Sequence, residues 1–157
     1  MDSLNVIRKF DTFLDKKGLT FEAVVIGGAA LNILGFIARQ TQEVGLGDTS
    51  LKENWLNHGP ESLRKYLRKN WKARLQPLFN GKAITFTTLG RVDLLGTKLL
   101  AYCDRGRDLQ DCLDSKPSRD EILEILPWVQ GYDVNPNWAE YCQGQIQDLA
   151  KRLGYEL

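Results

Sequence analysis

Histidine is nearly absent from this 157-residue chain, with His58 its single representative. The three cysteines, Cys103, Cys112 and Cys142, are widely spaced and include no CxxC pair. One histidine and three scattered cysteines exclude an ordinary structural zinc site, and their odd number excludes a closed disulfide framework. A reducing, cytoplasmic location is the natural expectation. Long apolar runs are missing too. The most apolar stretch, Ala23 to Ala38, is shorter than the roughly 20 residues of a spanning helix, and Gly27-Gly28 and Asn32 interrupt it. The opening MDSLNVIRKF lacks the apolar core of a signal peptide. A soluble protein without membrane association is expected. No charge excess exists: 21 Lys+Arg against 20 Asp+Glu leave +1, so bulk charge selects no polyelectrolyte partner.

What is present belongs to an ordinary globular protein, 43% hydrophobic and 26% charged. Ser3 to Lys17 has Leu4, Ile7, Phe10, Phe13 and Leu14 at helical spacing, with Gly18 as its stop. Phe21 to Ile26 is apolar without alternation, as in a strand covered on both faces. Gly27-Gly28 then turns the chain into a short helix, Ala29 to Leu34. Phe36 to Val44 is the next strand candidate, followed by a loop of composition GLGDTS. Pro60 opens a helix predicted to reach about Lys69. Arg74 to Phe79 and Ala83 to Thr88 flank Asn80-Gly81, a strong hairpin signal, and Pro77 assigns the first of these strands to a sheet edge. Arg91 to Asp104 is a helix with Val92, Leu95, Leu99 and Cys103 on its buried stripe. Helices over 108–113, 118–129 and 138–153 complete the chain. Ser118 and Glu121 have capping-box spacing, and Asn137 stands as a cap before Trp138. The fold class is α/β (α+β), with a core over 1–104 and a helical region over 105–157.

A tight glycine turn between a buried strand and a helix exposes backbone N–H groups to an anion, typically phosphate. The same pair also suits close strand–helix packing, and the residues alone leave both readings open. VVIGGAALNILG, RQTQEV and LGRVDLLGTKLLAYCDRGRDLQDCL, in that order, resemble the nucleotidyltransferase-like superfamily, and within it the bacterial domains related to AbiEii-type toxins. The resemblance covers Val24 to about Leu126 and implies a small mixed sheet with a helical C-terminal region. It implies a nucleotide site at Gly27, Gly28, Arg39 and Thr41, with Mg²⁺ as cofactor. In such proteins the strand after the first helix reads R-x-T-x-D-[IV]-D. Two carboxylates at alternate strand positions share a face and can reach one metal pair about 3.5–4 Å apart.

Here Arg39 and Thr41 match, Glu43 stands at the first metal position, and Gly45 stands at the second. The loop that follows, Val44 to Lys52, is short for the family. Losing one of two metal carboxylates should cripple phosphoryl transfer, which depends on metal positioning and charge neutralisation. The resemblance further implies catalytic roles for Lys98, facing phosphate, and for an acidic residue about ten positions on. Asp108 and Asp111 both qualify, and their i, i+3 spacing puts them on one helix face.

The stretch Arg64 to Lys82 interleaves Arg64, Lys65, Arg68, Lys69, Lys72, Arg74 and Lys82 with Tyr66, Trp71 and Phe79. It could follow a phosphate backbone and stack on bases, or be a solvated helix with buried aromatics. The resemblance therefore implies transfer of a nucleoside monophosphate from an NTP to RNA or protein, in a toxin–antitoxin setting with an antitoxin-like partner. The incomplete dyad makes an inactive form the expectation. The alternative is a non-catalytic nucleotide-, RNA- or protein-binding module of the same fold.

Overall fold

The computed structural model describes residues 3–38 and 66–157. The chain divides into two compact units, Met1–Gly90 and Arg91–Leu157. The elements of the first are α1 (Ser3–Lys16), β1 (Phe21–Val25), α2 (Gly28–Ile33), β2 (Gln76–Asn80) and β3 (Ile84–Thr88). The second holds α3 (Arg91–Arg105), α4 (Leu109–Asp114), α5 (Arg119–Gln130) and α6 (Trp138–Arg152). This is an α/β chain with a small mixed sheet and a helical C-terminal region.

The described sheet has the order β1-β3-β2. β1 runs parallel to β3 in a register that sets Phe21 against Ile84 and Val25 against Thr88. β2 is antiparallel to β3 and lies at an edge, as Pro77 requires, with a bulge between Pro77 and Phe79. Phe21 packs edge-on against Phe86 at 5.8 Å between ring centroids, over a core that includes Ile7, Val25, Ala30, Ile84 and Leu89.

A charge organises this core. Asp11, on the buried face of α1, accepts hydrogen bonds from three backbone N–H groups of the β2–β3 turn. Oδ1 receives Ala83 and Ile84, each at 2.8 Å, and Oδ2 receives Lys82 at 3.1 Å. Burial pushes the Asp11 carboxyl up, but the three N–H donors outweigh it and hold it below the ordinary value. The turn must come close for this. Neither Asn80 nor Gly81 has a positive φ, so the glycine is not there for the left-handed conformation of a tight hairpin. A methyl group at Gly81 would overlap the Asp11 carboxylate. The hairpin forms where expected, and its glycine makes room for an ion.

Two other expectations are corrected. Phe13 does not share the apolar stripe of α1: the buried face is Ser3, Ile7, Asp11 and Leu14, and Phe13 is 48% exposed. Two residues on from Asp11, it is turned about 200° around the helix. The helix predicted from Pro60 lies largely outside the described residues. Its expected end does not hold, because Leu67 to Asn70 is bend and turn. Asn70 adopts the left-handed conformation, and Trp71–Arg74 forms a 3-10 turn where a strand was expected to begin.

In the second unit, α3 is buried on almost every side, including Asp93 and Lys98, rather than along one stripe. Gly96 makes this possible towards α5, because a Cβ there would lie 2.6 Å from Ile125 Cδ1. The capping box of α5 is realised, with Glu121 N–H on Ser118 Oγ at 3.2 Å and Ser118 N–H on Glu121 Oε2 at 2.8 Å. Arg91 adds a bond of 2.7 Å to Glu121 Oε1 and another of 2.7 Å to the Ser115 carbonyl, tying the start of α3 to that cap. Asn137 holds the cap position of α6 but makes no side-chain capping bond. Its own N–H donates to Asn135 Oδ1 at 3.0 Å instead. Trp138 Nε1 donates to the Val129 carbonyl at 2.8 Å and fixes α6 to α5.

Asp11→Ala should destabilise the chain by about 3 kcal/mol or more in urea unfolding, because buried N–H donors lose their acceptor. Asp11 titrates lower folded than unfolded, so its stabilisation is present above the ordinary carboxylate range and is lost as pH falls through the lowered value. The stability gap between the natural chain and Asp11→Asn should therefore close in acid. A gap independent of pH would rule this account out.

Candidate functional site

β1 ends in the Gly27-Gly28 turn that starts α2. Gly27 has φ 82° and ψ −154°, a region open essentially to glycine alone. No other group approaches within 4 Å of where its Cβ would be. The turn thus needs glycine for its backbone path, while packing makes no demand at Gly27. It stands at the carboxyl end of a parallel strand pair, where ligands of α/β sheets gather. Thr88 closes β3 beside it, opposite Val25, and its buried hydroxyl has no hydrogen-bond partner. No motif pointed to Thr88 in the sequence; only the pairing of β1 with β3 brings it to this end of the sheet.

Arg39, Thr41, Glu43 and Gly45 lie outside the described residues, as do Asp48 and His58. Among the described residues, no group of three His, Cys, Asp or Glu is arranged to hold a metal.

Lys98, Asp108 and Asp111 come together in the second unit. Lys98 Nζ lies 2.8 Å from Asp111 Oδ2 and 3.2 Å from Asp108 Oδ2. The lysine side chain is 8% exposed, Asp111 2% and Asp108 27%. Two carboxylates thus converge on one buried ammonium. Asp108 sits at the N-cap of α4 with φ 67°, a left-handed conformation that Asp tolerates better than most residues. Its side chain makes no capping bond and is turned to Lys98 instead. Beside the cluster, burial and then the Asp108 charge push the Cys112 thiol up to about 12. Burial also raises Cys103 and Cys142. All three cysteines are free and buried, and such thiols are inert near neutrality.

The family of nucleotidyltransferases of unknown function (DUF6036) matches residues 3–120, more than half of the chain. The chain belongs to that family. The matched segment of this nucleotidyltransferase-family domain includes the glycine turn, Arg39 and Thr41, and the Lys98 cluster. Comparison with curated proteins and with solved structures finds no match. No helix among the described residues is long and apolar enough to cross a membrane.

Lys98→Ala should cost about 3–5 kcal/mol in urea unfolding, since it strands a buried carboxylate. Asp111→Asn should cost more than Asp108→Asn, because Asp111 is the more buried partner at the shorter distance. The reverse order would show that the exposed aspartate carries the pair.

Proposed function

We propose that this chain is a nucleotide-binding protein of nucleotidyltransferase fold and toxin–antitoxin type, derived from enzymes that move a nucleoside monophosphate from an NTP to RNA or protein. Such transfer joins an acceptor oxygen to the α-phosphorus and releases pyrophosphate. The observation that carries the reading is the family match over 3–120, joined to a glycine turn at the carboxyl end of a parallel strand pair. Backbone N–H groups of Gly27 and Gly28 would receive phosphate oxygens, and the orphan Thr88 hydroxyl supplies a polar group nearby in the sheet. Arg39 and Thr41 match the family pattern and would contribute to the same nucleotide site. Exposed Lys69, Lys72 and Lys82, with Lys72 Nζ 5.7 Å from the centre of the Trp71 ring, suit an RNA acceptor.

The metal position is where the reading stops short of catalysis. Glu43 is one carboxylate where the family pattern has two, and Gly45 offers none. Asp108 and Asp111 are engaged by Lys98. These residues do not fit a two-metal centre, and no catalytic step is assigned to Mg²⁺ here.

A second reading, a non-catalytic binding module, is favoured by the Lys98 cluster. An ammonium already held by two carboxylates at 2.8 and 3.2 Å is poorly prepared to receive a triphosphate. Lys98 would then be a packing element of the helical unit.

Thermal unfolding with each NTP and Mg²⁺, on the natural chain and on Glu43→Asp/Gly45→Asp, separates these readings. Ligand at about 100 times its Kd should add roughly 2.7 kcal/mol. The nucleotide-binding reading expects a shift in the natural chain and a larger one in the double variant; a shift in the double variant alone would mean that the pocket survives but that this chain has lost its metal site. No shift in either protein would leave the non-catalytic module without nucleotide.

A further inference from the structure

α6 carries a glycine that nothing in its surroundings requires. Gly144 stands in the middle of a fifteen-residue helix, where glycine costs about 1 kcal/mol against alanine. Gly96 and Gly81 are explained by what a Cβ would strike, whereas no other group comes within 4 Å of where the Gly144 Cβ would be. Gly144 lies in a shallow, open depression of about 480 Å³ along the outer face of α6, bordered by Glu140, Tyr141 and Asp148. Tyr141 is 48% exposed beside it. The lining has two carboxylates and no cation.

α1 presents the complementary pattern. Its outer face exposes Phe13 between Lys9 and Lys17, with Lys16 alongside. Lys17 Nζ lies 5.9 Å from the centre of the Phe13 ring. Asp15, two residues on and so about 200° round the helix from Phe13, lies 4.0 Å from Lys82 Nζ. Lys9, Phe13 and Lys17 are spaced i, i+4, i+8, and so are Glu140, Gly144 and Asp148. Each triplet spans about 12 Å of helix. A ring set between two ammonium groups thus meets a hole set between two carboxylates at the same pitch. The register is symmetric, so the helices match in either direction.

We propose that α1 of one copy of this chain docks on α6 of a second copy, with Phe13 seated over Gly144 and Lys9 and Lys17 paired with Glu140 and Asp148. If each copy offers its α1 to the other, the contact is made twice and the dimer closes; otherwise it propagates head to tail. A helix pair buries less than the roughly 1,200 Å² of a standard interface, so association is expected in the micromolar range or weaker. The lysine–carboxylate pairs make it sensitive to salt.

Sedimentation equilibrium of the full chain, from low micromolar to near-millimolar concentration, tests this. Reversible association that weakens at high salt is expected. Gly144→Leu should abolish it while leaving the melting temperature unchanged or higher, because the dent is empty. Lys9→Glu/Lys17→Glu and Glu140→Lys/Asp148→Lys should each be monomeric alone and should associate when mixed, since each then offers the charge that the other lacks. A chain that stays monomeric throughout overturns the proposal, even if its α6 face captures a separate basic peptide. So does association that survives Gly144→Leu, or a mixture of the two charge variants that remains monomeric.

Discussion

The first unit depends on one carboxylate. Asp11 is held by three backbone N–H groups from a turn more than seventy residues away in sequence, and it fixes α1 to the sheet through hydrogen bonds as well as apolar contact. The desolvation of a buried charge opposes this arrangement. Donors aimed at both oxygens reverse the balance, and the hairpin can bring them close because Gly81 has no side chain. A neutral apolar residue at position 11 would pack, but would leave those donors with no acceptor. The ion therefore specifies which turn α1 meets, where a hydrophobic contact would tolerate a shift in register.

The second unit repeats the logic with charged side chains. Lys98 lies inside a helix bundle, and Asp108 and Asp111 answer it from the start of α4. In both units a charge on a buried helix face is matched by groups from a different element. The position of the helix thus becomes a matter of direction and distance as well as of area. The left-handed backbone at Asp108 is the local distortion that turns its carboxylate towards the lysine.

Much of this fold could be read from the residues. Apolar runs and glycine stops located α1, β1 and α2, Asn80-Gly81 located the hairpin, Pro77 located the edge, and Ser118 with Glu121 located the start of α5. The errors share a cause. Phe13 is apolar, but Ile7, Asp11 and Leu14 define the buried face by spacing, and the signal for it is an aspartate inside an i, i+4, i+7 pattern. Lys98 and Asp93 were legible as helix residues, but their burial was not, since it depends on neighbours far along the chain. Of the candidate site, Gly27-Gly28 and the Lys98, Asp108 and Asp111 group could be named beforehand through family resemblance. Thr88 could not, because its place at the carboxyl end of the parallel pair follows from strand pairing.

The long reach of the Asp11 clasp also bears on the order of assembly. The parallel pairing of β1 with β3 joins residues about sixty apart, so the first unit is built from non-local contacts, and loop closure must precede their reward. The helical unit is joined by short connections, and its helices pack within a segment of 67 residues. During synthesis, α1 is made before the hairpin and must wait for residues 82–84 before its carboxylate has these donors to hold. Until then Asp11 is a solvated acid on an amphipathic helix, and α1, though it precedes the hairpin in the chain, is secured after it.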